Sequence, residues 1–310
     1  MKKEFNPNNF YQRRSLASVL GQMNKRLWEL QPDLQGKHVF VPGNLEDEMA
    51  LLYATIDVDK EKYGESIYQV QETYRDKINS ILDITNPFRK VASEAVALVL
   101  WNTPEAFRVN TKDGIELNSG NLSAIYFNGR KIPAYPDFMN LISSFLQIEY
   151  IRTTGGADVI VGGESAGIPY GTWFAKDTFM PNGYVRKKPK GYGTTDQIEG
   201  TVGPGDDVKL IEDLITDGGS KLTFIKGIRN EGGTIEDVFV VIDRQQGGKE
   251  TLEKVDVNLH SLTTMEDILN VGLEYEYIND GELKSIKEYL NDPKAWHEAR
   301  TERPWNPPKK

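Results

Sequence analysis

The chain has 310 residues, with 37 basic against 46 acidic side chains and a net charge of −9. That length supports one large α/β domain or a domain with an extension, and the acidic balance argues against affinity for nucleic-acid backbones. Zero cysteines exclude disulfides, thiolate metal sites and cysteine nucleophiles, and the three histidines, His38, His260 and His297, match no metal-ligand spacing.

Lys2, Lys3, Arg13 and Arg14 mark the start of the chain without an apolar stretch like that of a signal peptide, and the apolar run Ala95 to Trp101 is too short for a bilayer. The expected setting is cytoplasmic, with no membrane partner. From Phe10 to Ile84 apolar residues recur at helical intervals, as in Leu16, Val19, Leu20, Met23 and Leu27. Residues 1–86 therefore read as a mainly helical extension. His38 to Asn44 within it is a short apolar run, either a strand or a turn. The boundary is placed at Asn86-Pro87, because the residue before a proline is pushed out of helical geometry and a new periodic helix follows.

Residues 87–310 alternate short apolar runs with glycine-rich turns and helical stretches, the pattern of a Rossmann-like parallel sheet with crossover helices. Ala157 to Gly163, Val208 to Asp213 and Val238 to Asp243 read as buried strands, the last two ending in acidic residues that a parallel sheet presents to a ligand. Met265 to Leu290 reads as helical, and the proline-rich stretch Arg303 to Lys310 as irregular or disordered.

The chemistry concentrates in Val208-Lys-Leu-Ile-Glu-Asp-Leu-Ile-Thr-Asp-Gly-Gly-Ser-Lys221. Gly218 and Gly219 let backbone N–H groups converge on an anion, Thr216 and Ser220 add hydroxyls, and the next helix offers its positive end. Such a loop suits a sugar 5′-phosphate. Glu212 and Asp213, placed at the strand end, suit ribose hydroxyls or a magnesium ion. An isolated Gly-Gly-Ser is ordinarily a helix cap, but the acidic pair in strand–loop–helix context favours the phosphate reading. No G-x-x-x-x-G-K-[ST] or G-x-G-x-x-G motif occurs, which disfavours a P-loop kinase and a Rossmann dehydrogenase. Arg186-Lys-Lys-Pro-Lys190 is a cationic cluster between glycines, suited to a mobile lid over an anionic substrate or else to a solvated loop.

Ile211 to Ser220 resembles the phosphoribosyl pyrophosphate (PRPP) motif of the orotate phosphoribosyltransferase family, the type I phosphoribosyltransferases. Four further segments agree in the family's order. Leu117 to Gly120 with Ser123 to Asn128 is similar to the N-terminal substrate segment, and Gly162 to Pro169 to the pyrophosphate loop. Tyr184 to Gly193 resembles the mobile catalytic loop, and Ile242 to Gly248 the strand end that touches orotate. The resemblance implies PRPP binding by Arg186, Lys187, Lys190, Glu212, Asp213, Thr216, Asp217, Gly218, Gly219 and Ser220. It implies magnesium (Mg2+) at Glu212 and Asp213, and base contacts from Thr216 and Arg244. Lys187, Lys190 and Asp213 would carry catalysis. It further implies a homodimer whose mobile loop reaches the neighbouring subunit. Asn118 stands where the family frequently has lysine, Ser165 and Ala166 where tyrosine and lysine are frequent, and Tyr192 where histidine is usual. Asn118 and Ala166 motivate a competing reading, a phosphoribosyltransferase for another base, and a reading of a different class is a non-catalytic PRPP-binding regulator whose N-terminal helices signal to a partner.

Overall fold

A computed structural model describes residues 86–154, 156–189 and 197–307. The expected helical extension thus lies outside the described residues, except for its last, Asn86. The elements follow in the order α1 (Asn86–Asn102), β1 (Phe107–Val109), β2 (Ile115–Glu116), β3 (Leu122–Ser123), β4 (Ile125–Phe127), a 3₁₀ segment (Gly129–Ala134), α2 (Pro136–Thr153), β5 (Val159–Gly163), α3 (Gly167–Thr178) and β6 (Asn182–Val185). Then come β7 (Ile198–Glu199), β8 (Asp207–Ile215), α4 (Gly219–Asn230), β9 (Thr234–Asp243), α5 (Gly248–Glu253), β10 (Asn258–Thr264), α6 (Met265–Glu274), α7 (Asp280–Asn291) and α8 (Pro293–Glu298). They form two compact units: Met139–Leu262 with the residues ahead of Ser93, and Ser93–Phe138 joined to Thr263–Lys310.

The first unit is built on a sheet of strand order β10-β9-β8-β5-β6-β7. β5 pairs in parallel with both β6 and β8, and β8 with β9, while the short β7 runs antiparallel to β6 at the edge. The three strands expected from the apolar runs are therefore the centre of the sheet. Strands covered on both faces read as continuous apolar stretches, which is why Val208, Leu210, Ile211 and Ile215 are fully buried along β8. Val161, Leu210, Phe224, Ile228, Val238 and Leu252 belong to one cluster that joins the sheet to α4 and α5. The chain leaves β5 for β6 on one side and later lays β8, β9 and β10 on the other. This reversal makes a topological switch point between β5 and β8, and parallel α/β sheets bind ligands outside the carboxyl ends of the strands there.

Toward the amino ends of β8 and β9, away from those carboxyl ends, a buried charge is held by its neighbours. Lys209 Nζ donates to Asp207 Oδ1 and Asp237 Oδ2, both at 2.9 Å, and Asp237 Oδ1 lies 2.8 Å from His260 Nε2. Burial alone would raise the Asp237 carboxyl, but the bonds from His260, Lys209 and Asn258 outweigh it and hold the group at about 2 instead of 3.8. A carboxyl depressed by folding adds stability above its unfolded value, and that stability is lost as pH falls from 3.8 toward about 2. We expect Asp237→Asn to cost about 3 kcal/mol at neutral pH, because it leaves Lys209 buried with a single, half-exposed counter-charge. Urea unfolding followed down to acidic pH should show a shallower acid loss in the variant than in the parent.

The second unit carries two small antiparallel pairs, β1 with β4 and β2 with β3. Trp101 stacks on Tyr277 at 5.2 Å and donates its indole N–H to the Ile268 carbonyl at 2.9 Å, fastening the last turn of α1. The helical stretch expected over Met265 to Leu290 is two helices, not one. Glu276 takes a left-handed φ of 59°, which ends the first, and Asn279 with Glu282 forms a capping box that starts the second. The proline-rich end is without regular structure through Pro307 but is not loose: Asn306, His297 and Arg303 tie it to the β2–β3 turn. No described helix is long and apolar enough to cross a membrane.

Candidate active site

The carboxyl ends of β5, β6, β8 and β9 bring together four of the five segments singled out from the sequence. β5 ends at Gly163, and the turn Glu164–Ala166, whose Glu164-Ser165 peptide is cis, leads into α3. β6 ends at Val185, followed by Arg186 and Lys187. β8 continues two residues past Asp213 to Ile215, so the acidic pair lies inside the strand and not at its end. Thr216 and Asp217 follow, and Gly218 caps α4 with a φ of 85°, a left-handed conformation that glycine adopts without strain. The loop is closed from behind by α5: a side chain at Gly218 would meet Thr251, and one at Gly248 would come within 2.8 Å of the Thr216 carbonyl. Arg244 starts immediately after β9, its N–H donating to the Ile215 carbonyl at 3.0 Å, which sets it beside the start of the phosphate loop.

Glu212 and Asp213 are adjacent in a strand and so leave opposite faces of the sheet. Glu212 is buried and pairs with Lys221 Nζ at 2.5 Å. Its other oxygen, Oε1, is buried with no hydrogen-bond partner among the described residues and lies over the bare backbones of Gly163 and Gly167. A Cβ on either glycine would strike this carboxylate, which explains why the start of α3 carries none. Burial pushes the Glu212 carboxyl up to about 7, Lys221 opposes that rise, and Asp213 adds to it. Asp213 is also buried, and its Oδ1 accepts the Leu214 N–H at 2.9 Å. On α3, burial and the nearby Asp213 charge hold the Tyr170 hydroxyl far above its ordinary value.

The cationic segment is half tethered. Arg186 Nη1 pairs with Glu199 Oε1 at 3.2 Å, whereas its buried Nε has no hydrogen-bond partner among the described residues. Lys187 is exposed, and its backbone N–H donates to Glu164 Oε2 at 2.8 Å, joining the loop after β6 to the turn after β5. Lys190 and Tyr192 lie outside the described residues. Asp217 is exposed yet folds back, its Oδ1 accepting the Gly219 N–H at 3.0 Å. Ser220 and Gly219 are exposed at the start of α4. The fifth segment, Leu117–Asn128, belongs to the other unit, where Asn118 and Ser119 stand exposed at the β2–β3 turn.

Sequence reasoning missed Lys221, Glu164 and Glu199. Lys221 carried a signal: a lysine in the first turn of α4 opposes the helix dipole, so its place there needs a compensating carboxylate. Glu164 and Glu199 carried none, since their partners lie across the sheet.

No family model matches the chain. Among curated proteins, the orotate phosphoribosyltransferase of Roseobacter denitrificans is 39% identical over 198 residues, covering 63% of this chain and 88% of the relative. That of Rhizobium johnstonii is 34% identical over 218 residues, covering 70% of this chain and 95% of the relative. Two solved structures share the fold. Orotate phosphoribosyltransferase from Aeropyrum pernix aligns with a TM-score of 0.51 at 26% identity over 59% of this chain and 99% of its own. Leishmania donovani UMP synthase aligns with a TM-score of 0.56 at 24% identity over 71% of this chain, which spans 46% of its length. With nearly the full length of its curated relatives matched at this identity, the chain belongs to the orotate phosphoribosyltransferase family.

Proposed function

We propose that the chain transfers phosphoribose from PRPP to orotate, giving orotidine monophosphate and pyrophosphate. The observation that carries this reading is the phosphate loop Thr216–Ser220, opened by Gly218 at the N-terminus of α4 and set at the switch point of a sheet shared with the family. Backbone N–H groups at Gly218, Gly219 and Ser220, with the Thr216 and Ser220 hydroxyls, take the 5′-phosphate. Asp217 already accepts from Gly219, so the phosphate either displaces that carboxylate or uses the remaining donors.

Glu212 and Asp213 offer hard oxygen donors on opposite faces of β8, so a single magnesium ion would be held by one of them and not both, and the unpartnered Oε1 of Glu212 fits a role in ligand or magnesium binding. Magnesium held there with the substrate's own oxygens would supply positive charge against the pyrophosphate. Arg186, Lys187 and Lys190 bind the pyrophosphate, the orphaned Nε of Arg186 being one donor available for it. Arg244 suits the planar orotate carboxylate, with Thr216 beside it. The reaction forms a bond from the base nitrogen to the anomeric carbon as the bond to pyrophosphate oxygen breaks. The protein positions the reactants, stabilises charge and excludes water, without a covalent intermediate. We place it in the cytoplasm as a homodimer whose mobile loop serves the neighbouring subunit, with the residues before Pro87 as a separate helical extension.

Mixing two inactive variants tests the shared loop. Lys190→Ala removes the loop cation and Asp213→Asn the site carboxylate. Remixed subunits should regain about a quarter of parental turnover, because a mixed dimer holds one intact site. No recovery would mean that each loop serves its own subunit.

A further inference from the structure

In the first unit, β7 is an edge strand of only two residues, and it holds Arg186 from two sides. The register of Tyr184 on Glu199 and Val185 on Ile198 brings Gln197 opposite Arg186. The Arg186 N–H donates to the Gln197 carbonyl at 2.8 Å, and Gln197 Nε2 donates to the Arg186 carbonyl at 2.6 Å. The Gln197 amide is itself seated on α4, where a Cβ added to Gly227 would come within 2.8 Å of its Cδ. With the Lys187 N–H held by Glu164, the peptides on both sides of Arg186 are fixed. Glu199 lies diagonally across the ribbon and takes Arg186 Nη1 at 3.2 Å. Nη1 stands off the Nε edge of the guanidinium fork, so this pair sets the plane without using Nε. That Nε is a buried donor with no hydrogen-bond partner among the described residues, an arrangement that calls for an acceptor.

We propose that Glu199 and Gln197 are positioning residues that preset the Arg186 guanidinium for the pyrophosphate group of PRPP. The inference rests on reading Arg186 as a pyrophosphate ligand, and it adds what makes that arginine competent. A carboxylate beside an arginine also offsets its charge, so Glu199 has two opposing effects on an anion. The side chains of Arg186 and Glu199 are 31% and 27% exposed, and solvent screens the charge offset at that exposure. Orientation is not screened: a planar fork serves an anion only at the right angle, and fixing it in advance spares that ordering when the ligand binds. Positioning is therefore the larger of the two effects.

The test is titration calorimetry of the full chain with PRPP and magnesium, which needs no turnover. Glu199→Ala should raise the Kd for PRPP about tenfold. Glu199→Gln, whose amide oxygen still accepts from Nη1, should recover most of that loss. In an Arg186→Ala background, Glu199→Ala should add no further rise, because the residue it positions is gone. Tighter PRPP binding in Glu199→Ala would overturn the inference and make Glu199 a competitor for Arg186. An equal further loss in the Arg186→Ala background would also overturn it, since a general loss of structure does not depend on Arg186. Arg186→Ala with an unchanged Kd is a different failure: it removes Arg186 from the pyrophosphate site, and the inference falls with that reading.

Discussion

Replacing Asp213 with asparagine is expected to lower kcat/KM for PRPP by about two to three orders of magnitude, the scale of removing one preorganised electrostatic group. The change is nearly isosteric. The Asn side-chain oxygen can still accept the Leu214 N–H that Asp213 Oδ1 takes at 2.9 Å, so the end of β8 should keep its shape. What disappears is a negative charge in a buried position at the switch point, where little solvent screens it. Steady-state kinetics with PRPP varied, alongside thermal unfolding, separates the two effects. An unchanged kcat/KM in a folded variant would remove Asp213 from the site.

Lys221→Met should be the most destabilising change near the site, costing about 3–5 kcal/mol, because it strands the Glu212 carboxylate in the interior. The pH dependence distinguishes this cause from lost packing. Burial already holds the Glu212 carboxyl at about 7 against its ordinary 4.5, and losing the 2.5 Å partner raises it further. A carboxyl raised by folding gives its full stabilisation below the unfolded value and loses it as pH climbs through the folded one. The deficit of Lys221→Met should therefore be large near about pH 8 and small near about pH 5, where a protonated Glu212 needs no counter-charge. Adding Glu212→Gln to Lys221→Met should recover most of the loss while leaving PRPP binding impaired. Urea unfolding of the two single variants and the double variant closes the cycle. A deficit independent of pH would assign Lys221 a packing role instead.

Local patterns made the catalytic sheet legible, and tertiary pairing concealed the rest. Val208–Ser220 could be read because strand, acidic pair, glycines and helix are contiguous, so adjacent residues carry the whole motif. The strand still runs on to Ile215, since Leu214 and Ile215 are as apolar as what precedes them and nothing local marks an end at Asp213. Lys221 meets Glu212 only because α4 folds back over β8, and Lys187 meets Glu164 only because β6 lies beside β5. Helical spacing over Met265 to Leu290 hid the break at Glu276–Asn279, as the apolar residues of α6 and α7 continue in similar rhythm across it. The tail reads as irregular or disordered because prolines exclude a helix, but Asn306 and His297 hold it by polar bonds that leave no periodic trace. The division into two units was equally hidden, because the second unit is assembled from Ser93–Phe138 and Thr263–Lys310, stretches far apart in the chain.

The most direct test of the central claim is to incubate the pure protein with PRPP, magnesium and orotate, following orotate absorbance and pyrophosphate release together. Both should change in equal amounts, and Asp213→Asn should slow both by about two to three orders of magnitude. PRPP binding without consumption of orotate would contradict it.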